Sequence, residues 1–108
     1  MADNLEDYYP AIEEKALEEN TMKLVSIEGV KILLVKQKNK IYVIDNRCPH
    51  QACGFSGGKL DDGVIVCPCH DWRFKLESGE YEQNPFYKLK FYEYKIINGK
   101  IHVKLDDD

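Results

Sequence analysis

No run of apolar residues approaches the roughly 18 needed to cross a bilayer as a helix; the longest are the size of Ile32-Leu33-Leu34-Val35. A membrane-spanning helix is therefore not expected. Lys and Arg number 15 against 19 Asp and Glu, a net charge of -4, and no basic cluster is interleaved with aromatics. The sequence thus lacks the footprint that draws a protein to nucleic acid or to anionic lipid. The opening Met1-Ala2-Asp3-Asn4-Leu5-Glu6-Asp7 has neither the basic nor the apolar region of a secretory signal, and no twin arginine. The expectation is a cytoplasmic protein. Internal repeats and low-complexity tracts are absent. Histidine and cysteine are scarce, at three and four, yet every cysteine and two of the histidines fall between Cys48 and His70.

The remaining composition is that of a globular chain, 44% hydrophobic and 11% aromatic beside 31% charged residues. A chain of 108 residues builds one core, so a single domain over residues 1–108 is expected. Tyr8-Tyr9-Pro10-Ala11-Ile12 suits a short edge strand, where proline is tolerated. Glu13 to Asn20 reads as one helical turn or a very short helix. Beyond Thr21 the period is two: Met22–Ile27, Val30–Lys36 and Ile41–Ile44 are β-rich runs forming an antiparallel meander. Asp61-Asp62-Gly63 between Leu60 and Val64-Ile65-Val66 signals a hairpin. A long strand from Lys88 to Ile97 precedes Asn98-Gly99, the strongest hairpin signal in the chain, and the closing strand Lys100–Leu105. The fold class is all-β, an antiparallel β sandwich or barrel. An irregular segment of about thirty residues is inserted in it, and long insertions of this kind are usually functional.

That insertion carries Cys48-Pro49-His50 and Cys67-Pro68-Cys69-His70, with sixteen residues between His50 and Cys67. One Cys/His pair separated by one residue and another by two is the ligand spacing of a two-iron cluster held by two thiolates and two imidazoles. Neutral imidazole in place of thiolate leaves iron with less negative charge, which raises the potential to roughly -150 to +300 mV from about -400 mV for all-cysteine ligation. Pro49 and Pro68 stiffen the two loops and leave neighbouring N–H groups free to point at sulfur. Structural zinc uses the same ligand types and remains the alternative metal. A disulfide-only framework would leave the two histidines in register without explanation.

On these residues the sequence resembles the small soluble Rieske ferredoxins. Cys48, His50, Cys67 and His70 match all four ligand positions, and Asp45-Asn46-Arg47, Gly57-Gly58-Lys59-Leu60, Trp72-Arg73-Phe74, Ser78-Gly79-Glu80 and Asn84-Pro85 resemble the surrounding pattern. The resemblance runs from about Tyr8 to Leu105. It implies a Rieske-like fold with a cluster-binding subdomain at about 46–80, a [2Fe-2S] cluster with both cysteines on one iron and both histidines on the other, and a disulfide between Cys53 and Cys69 as in the cytochrome bc relatives. High-potential relatives carry Ser and Tyr where Trp72 and Phe74 stand here, so the resemblance also implies a low potential for the family.

The function so implied is that of a one-electron carrier, a ferredoxin passing electrons from a reductase to an oxygenase or another terminal enzyme. A non-catalytic small subunit of a larger oxidoreductase, such as assimilatory nitrite reductase, is the alternative, and a regulatory role through cluster loss or Cys53–Cys69 oxidation is a third. Cys53 or Cys69 as a nucleophile would need a free base, and the nearby histidines are better read as ligands. An oxygenase would need a further domain for mononuclear iron. The expectation is no catalytic residue, a monomer, and redox proteins as partners. Trp72 and Phe74 are expected to pack beneath the cluster loops, and His102 to sit at the surface of the closing strand.

Overall fold

A computed structural model describes residues 8–47, 54–69 and 71–105. Its eleven strands, all paired antiparallel, are β1 (Tyr8–Glu13), β2 (Thr21–Ile27), β3 (Val30–Gln37), β4 (Lys40–Asp45), β5 (Lys59–Asp61), β6 (Val64–Val66), β7 (Arg73–Lys75), β8 (Glu80–Tyr81), β9 (Asn84–Lys88), β10 (Tyr94–Ile97) and β11 (Lys100–Lys104). They form three sheets, in the orders β1-β11-β10, β2-β3-β4 and β5-β6-β7-β8-β9. The expected all-β class holds. Short 3-10 turns at Glu14–Ala16 and Phe55–Gly57 are the only helical elements among the described residues.

The meander β2-β3-β4 is the middle layer, which explains why β3 is an unbroken apolar run. Successive strand residues face opposite sides, and both sides are covered. Leu33, Val35 and Ile44 join Phe55, Ile65, Phe74, Leu76 and Leu89 in one cluster beneath the five-stranded sheet. Ile32, Leu34 and Val43 join Leu17, Tyr92, Ile101 and Val103 in a second, beneath β1-β11-β10. Each buried aliphatic contributes about 1.5–3 kcal/mol of transfer free energy. A strand feeding two cores is therefore the most strongly held element of the chain.

Two expectations need correction. The inserted segment is not irregular after residue 58, because β5 to β9 run through it as a continuous sheet. The β5–β6 hairpin is the one expected from Asp61-Asp62-Gly63, whereas β7, β8 and β9, of three, two and five residues, show no clear period and are not expected from the sequence. Nor is Lys88 to Ile97 one strand. The Tyr92 N–H donates to the Val43 carbonyl and the Asp45 N–H to that of Lys90, so residues 90–92 lie along β4 before the chain turns into β10. The short N-terminal edge strand, the single turn after it, the meander and the Asn98-Gly99 hairpin stand as expected, with Asn98 and Gly99 at φ of 52° and 77°.

The candidate metal centre

Two loops leave the end of the layered scaffold. The first, residues 48–53, departs after β4 at Arg47 and returns at Gly54, and these two residues form an antiparallel bridge. Its root is tied by the three polar residues that follow the apolar part of β4. The Asn46 N–H donates to the Lys31 carbonyl (3.1 Å), and its own carbonyl accepts from Phe55 N–H (2.8 Å). The Asn46 side-chain Oδ1 accepts from Ser56 N–H (3.0 Å). A Cβ at position 54 would stand 2.9 Å from Asn46 Nδ2, so glycine there lets the returning chain approach the asparagine closely.

Asp45 is nearly buried, with 9% of its side chain exposed. Its Oδ1 accepts from the Arg47 backbone N–H at 2.9 Å and from Arg47 Nε at 3.3 Å, and its Oδ2 accepts from Arg47 Nη2 at 3.4 Å and from the Tyr92 hydroxyl at 3.3 Å. Burial acts to raise the carboxyl pKa, but the hydrogen bonds and charge of Arg47 with the Tyr92 hydroxyl outweigh it, and the group is held below the ordinary carboxylate value. The two Arg47 contributions differ in weight. Its guanidinium is 72% exposed, and an ion pair in water contributes about 0–1 kcal/mol. A backbone N–H on a buried carboxylate contributes about 1.5–3 kcal/mol. The turn therefore dominates over the ion pair.

The second loop joins β6 to β7. The Cys67 N–H donates to the Trp72 carbonyl (2.8 Å), closing the turn, and Asp71 within it takes φ of 55°. Trp72 stacks on Tyr81 with ring centroids 3.8 Å apart and planes 2° from parallel. Tyr87 meets Trp72 edge-on at 5.3 Å, and buried Phe74 meets Phe55 edge-on at 5.5 Å. Phe74 is thus buried in the core with Trp72 packed against it, while the expected packing beneath the first loop involves residues outside the described ones. The 3-10 turn at Phe55–Gly57 packs against the second loop, since a Cβ at Gly57 would lie 3.7 Å from Pro68 Cγ, and one at Gly58 would overlap the Val66 carbonyl oxygen of β6.

Of the six Cys and His residues singled out in the sequence, Cys67 and Cys69 are described, whereas Cys48, His50, Cys53 and His70 lie outside the described residues. Cys67 is wholly buried and is a free thiol. Cys69 is disulfide-bonded, to a partner outside the described residues. His102, on β11, is half-buried, with Nδ1 3.1 Å from the Lys100 carbonyl oxygen. It lies on the closing strand, as expected, but is half-buried there rather than a surface residue. The sequence reading gave no role to Asp45, Asn46 or Tyr92; a polar triplet closing an apolar strand just before a ligand motif is the signal for the first two, while Tyr92 reads as an ordinary strand residue.

Comparison with known proteins adds to this geometry. Residues 7–93 match the model of the Rieske [2Fe-2S] domain. The chain is 35% identical over 83 residues to the ferredoxin component of naphthalene 1,2-dioxygenase/salicylate 5-hydroxylase systems from Ralstonia sp., covering 76% of this chain and 80% of that protein. It is 30% identical over 81 residues to the ferredoxin component of the alkene monooxygenase system of Xanthobacter autotrophicus, covering 74% of this chain and 66% of that one. In fold it resembles the ferredoxin of carbazole 1,9a-dioxygenase from Nocardioides aromaticivorans, with a TM-score of 0.81, 19% identity, and coverage of 92% and 98% of the two chains.

Proposed function

Since this chain belongs to the Rieske [2Fe-2S] domain family, we propose that it is the ferredoxin component of an oxygenase system, a one-electron carrier rather than a catalyst. Its ligands are Cys48, His50, Cys67 and His70. The observation that carries the reading is the division of the second loop's two thiols: Cys69 is taken by a disulfide, while Cys67 is left buried and free. A buried cysteine outside any disulfide, at the neck of a stiffened turn, suits a resident cluster, and Cys53 is the partner that the family pattern gives to Cys69.

The cluster supplies a one-electron couple when bound. The chain's own residues hold the two loops together, exclude water beneath them with the Trp72, Phe74 and Phe55 rings, and keep the scaffold rigid. Beside the second loop, Phe86 projects 82% exposed from β9, edge-on to Tyr87 at 5.4 Å, and offers a redox partner an apolar contact. We assign residues 1–108 to one domain with its cluster-binding subdomain at about 46–80, acting in the cytoplasm as a monomer, without nucleic acid or membrane as partner. No described helix is long and apolar enough to cross a membrane.

The test is reconstitution. Protein purified without oxygen is mixed with NADH and a flavoprotein reductase, then with the oxygenase component of a naphthalene 1,2-dioxygenase system. Bleaching of the visible absorption by the reductase, reversed by the oxygenase with product formed only when this chain is present, is the expected outcome. Absorption that no reductant bleaches would refute the carrier role.

A further inference from the structure

We infer that Asp45 is a positioning residue for the first ligand loop, acting through the backbone N–H of Arg47 and not through its guanidinium, and that it thereby sets how firmly Cys48 and His50 keep their iron. The reading of Cys48 and His50 as ligands is the one proposed above.

The Asp45 carboxylate is fixed before it acts on the loop. Its own N–H is bonded to the Lys90 carbonyl (2.9 Å), and Tyr92, buried in the core shared with β11, holds Oδ2 from the far side (3.3 Å). The other oxygen of that carboxylate, Oδ1, receives the N–H two residues on at 2.9 Å, a shorter contact than the 3.3 Å of Arg47 Nε on the same atom. A side-chain oxygen accepting from the backbone two residues later closes an Asx turn, which sets the direction in which the chain leaves a strand. Here the next residue in the sequence is Cys48. The Arg47 guanidinium reaches the same carboxylate from solvent, where water and salt screen it. Orientation of the loop therefore depends on an acceptor oxygen at one place and little on charge.

Conservative changes at position 45 separate the two. Asparagine keeps an acceptor at the same distance from the backbone. Glutamate keeps the charge but is longer by a methylene, which places its oxygens beyond a two-residue turn. Arg47→Gln removes the ion pair and leaves the backbone N–H in place.

The experiment compares the wild type with Asp45→Asn, Asp45→Glu, Asp45→Ala and Arg47→Gln, each purified without oxygen. Iron and sulfide content of the wild type is measured first; its lacking both overturns the ligand assignment itself and not the role of Asp45. The readouts are the half-life of the visible absorption under an iron chelator, the electron spin resonance g values of the reduced protein, and the denaturation midpoint of each apo-protein. Asp45→Glu and Asp45→Ala should lose the cluster about tenfold faster, the equivalent of one hydrogen bond to a charged group, with displaced g values. Asp45→Asn and Arg47→Gln should stay within about twofold of the wild type. Retention by Asp45→Glu with loss by Arg47→Gln would overturn the inference in favour of the ion pair. Unchanged g values in every variant, with loss rates following apo-protein stability, would reduce Asp45 to a structural role. Failure of Asp45→Asn to assemble also counts against it, since Asn keeps the acceptor.

Discussion

At the residue scale, Trp72 and Phe74 distinguish this chain from high-potential members of its family. Hydroxyl donors at those positions stabilise the reduced, more negative cluster. Here the first side chain lies flat on Tyr81 and the second is buried edge-on to Phe55, and neither carries a hydroxyl. A redox titration of the assembled protein should place its midpoint in the lower part of the family range of about -150 to +300 mV; a value in the upper third would contradict this. The two rings also have a packing role, since edge-to-face aromatic pairs contribute about 0.5–1.5 kcal/mol beyond their buried area. Rings in place of hydroxyls thus remove donors while adding aromatic packing at the second loop.

At the scale of elements, the 3-10 turn at Phe55–Gly57 lies against Pro68 of the second loop and, at Gly58, against β6. Gly58 permits that contact, for a Cβ there would overlap the Val66 carbonyl oxygen, which belongs to backbone and has no rotamer to move. Gly58→Ala should destabilise the apo-protein and abolish cluster assembly, as read from denaturation and iron content, whereas Gly99→Ala, with open space at the turn between β10 and β11, should assemble normally at some cost from its positive φ of 77°. Normal assembly by Gly58→Ala would show that the loops do not depend on this approach. Legibility of the elements in the sequence followed β-branched runs and turn signals more than length, for the three-residue β5 and β6 were marked by Asp61-Asp62-Gly63 and the five-residue β9 was not marked at all. The strands β2, β3, β4 and β11, with five or more residues, announced themselves by β-branched runs and by Asn98-Gly99. Strands β7 and β8 were concealed because three and two residues carry no period, and the break between β9 and β10 because residues 90–92 are extended in both readings. The proposed ligand motif was legible from spacing and its surrounding sequence together. The root at Asp45 was not, because its effect depends on Tyr92, which is distant in sequence and arrives only through the fold.

At the scale of the molecule, the order of layers accounts for the position of the site. A meander buried on both faces carries the first loop at the end of β4, the five-stranded sheet carries the second between β6 and β7, and one core, running from Leu33 to Phe74 and Leu89, lies between them. Polar ties stand at both ends of the middle layer. At one end Gln37 accepts from Gly63 N–H at 2.6 Å and donates to Asn20 at 3.2 Å; at the other, Asp45 and Asn46 hold the root of the first loop. Rigid support at both ends suits a carrier, whose site must keep one geometry in two charge states. The central claim is that this scaffold holds a [2Fe-2S] cluster through two cysteines and two histidines, and the most direct measurement is metal and acid-labile sulfide analysis of protein purified without oxygen. Two irons and two sulfides per chain, lost together when His70 is replaced by alanine, are the predicted result; a colourless protein carrying stoichiometric zinc and no sulfide would contradict it.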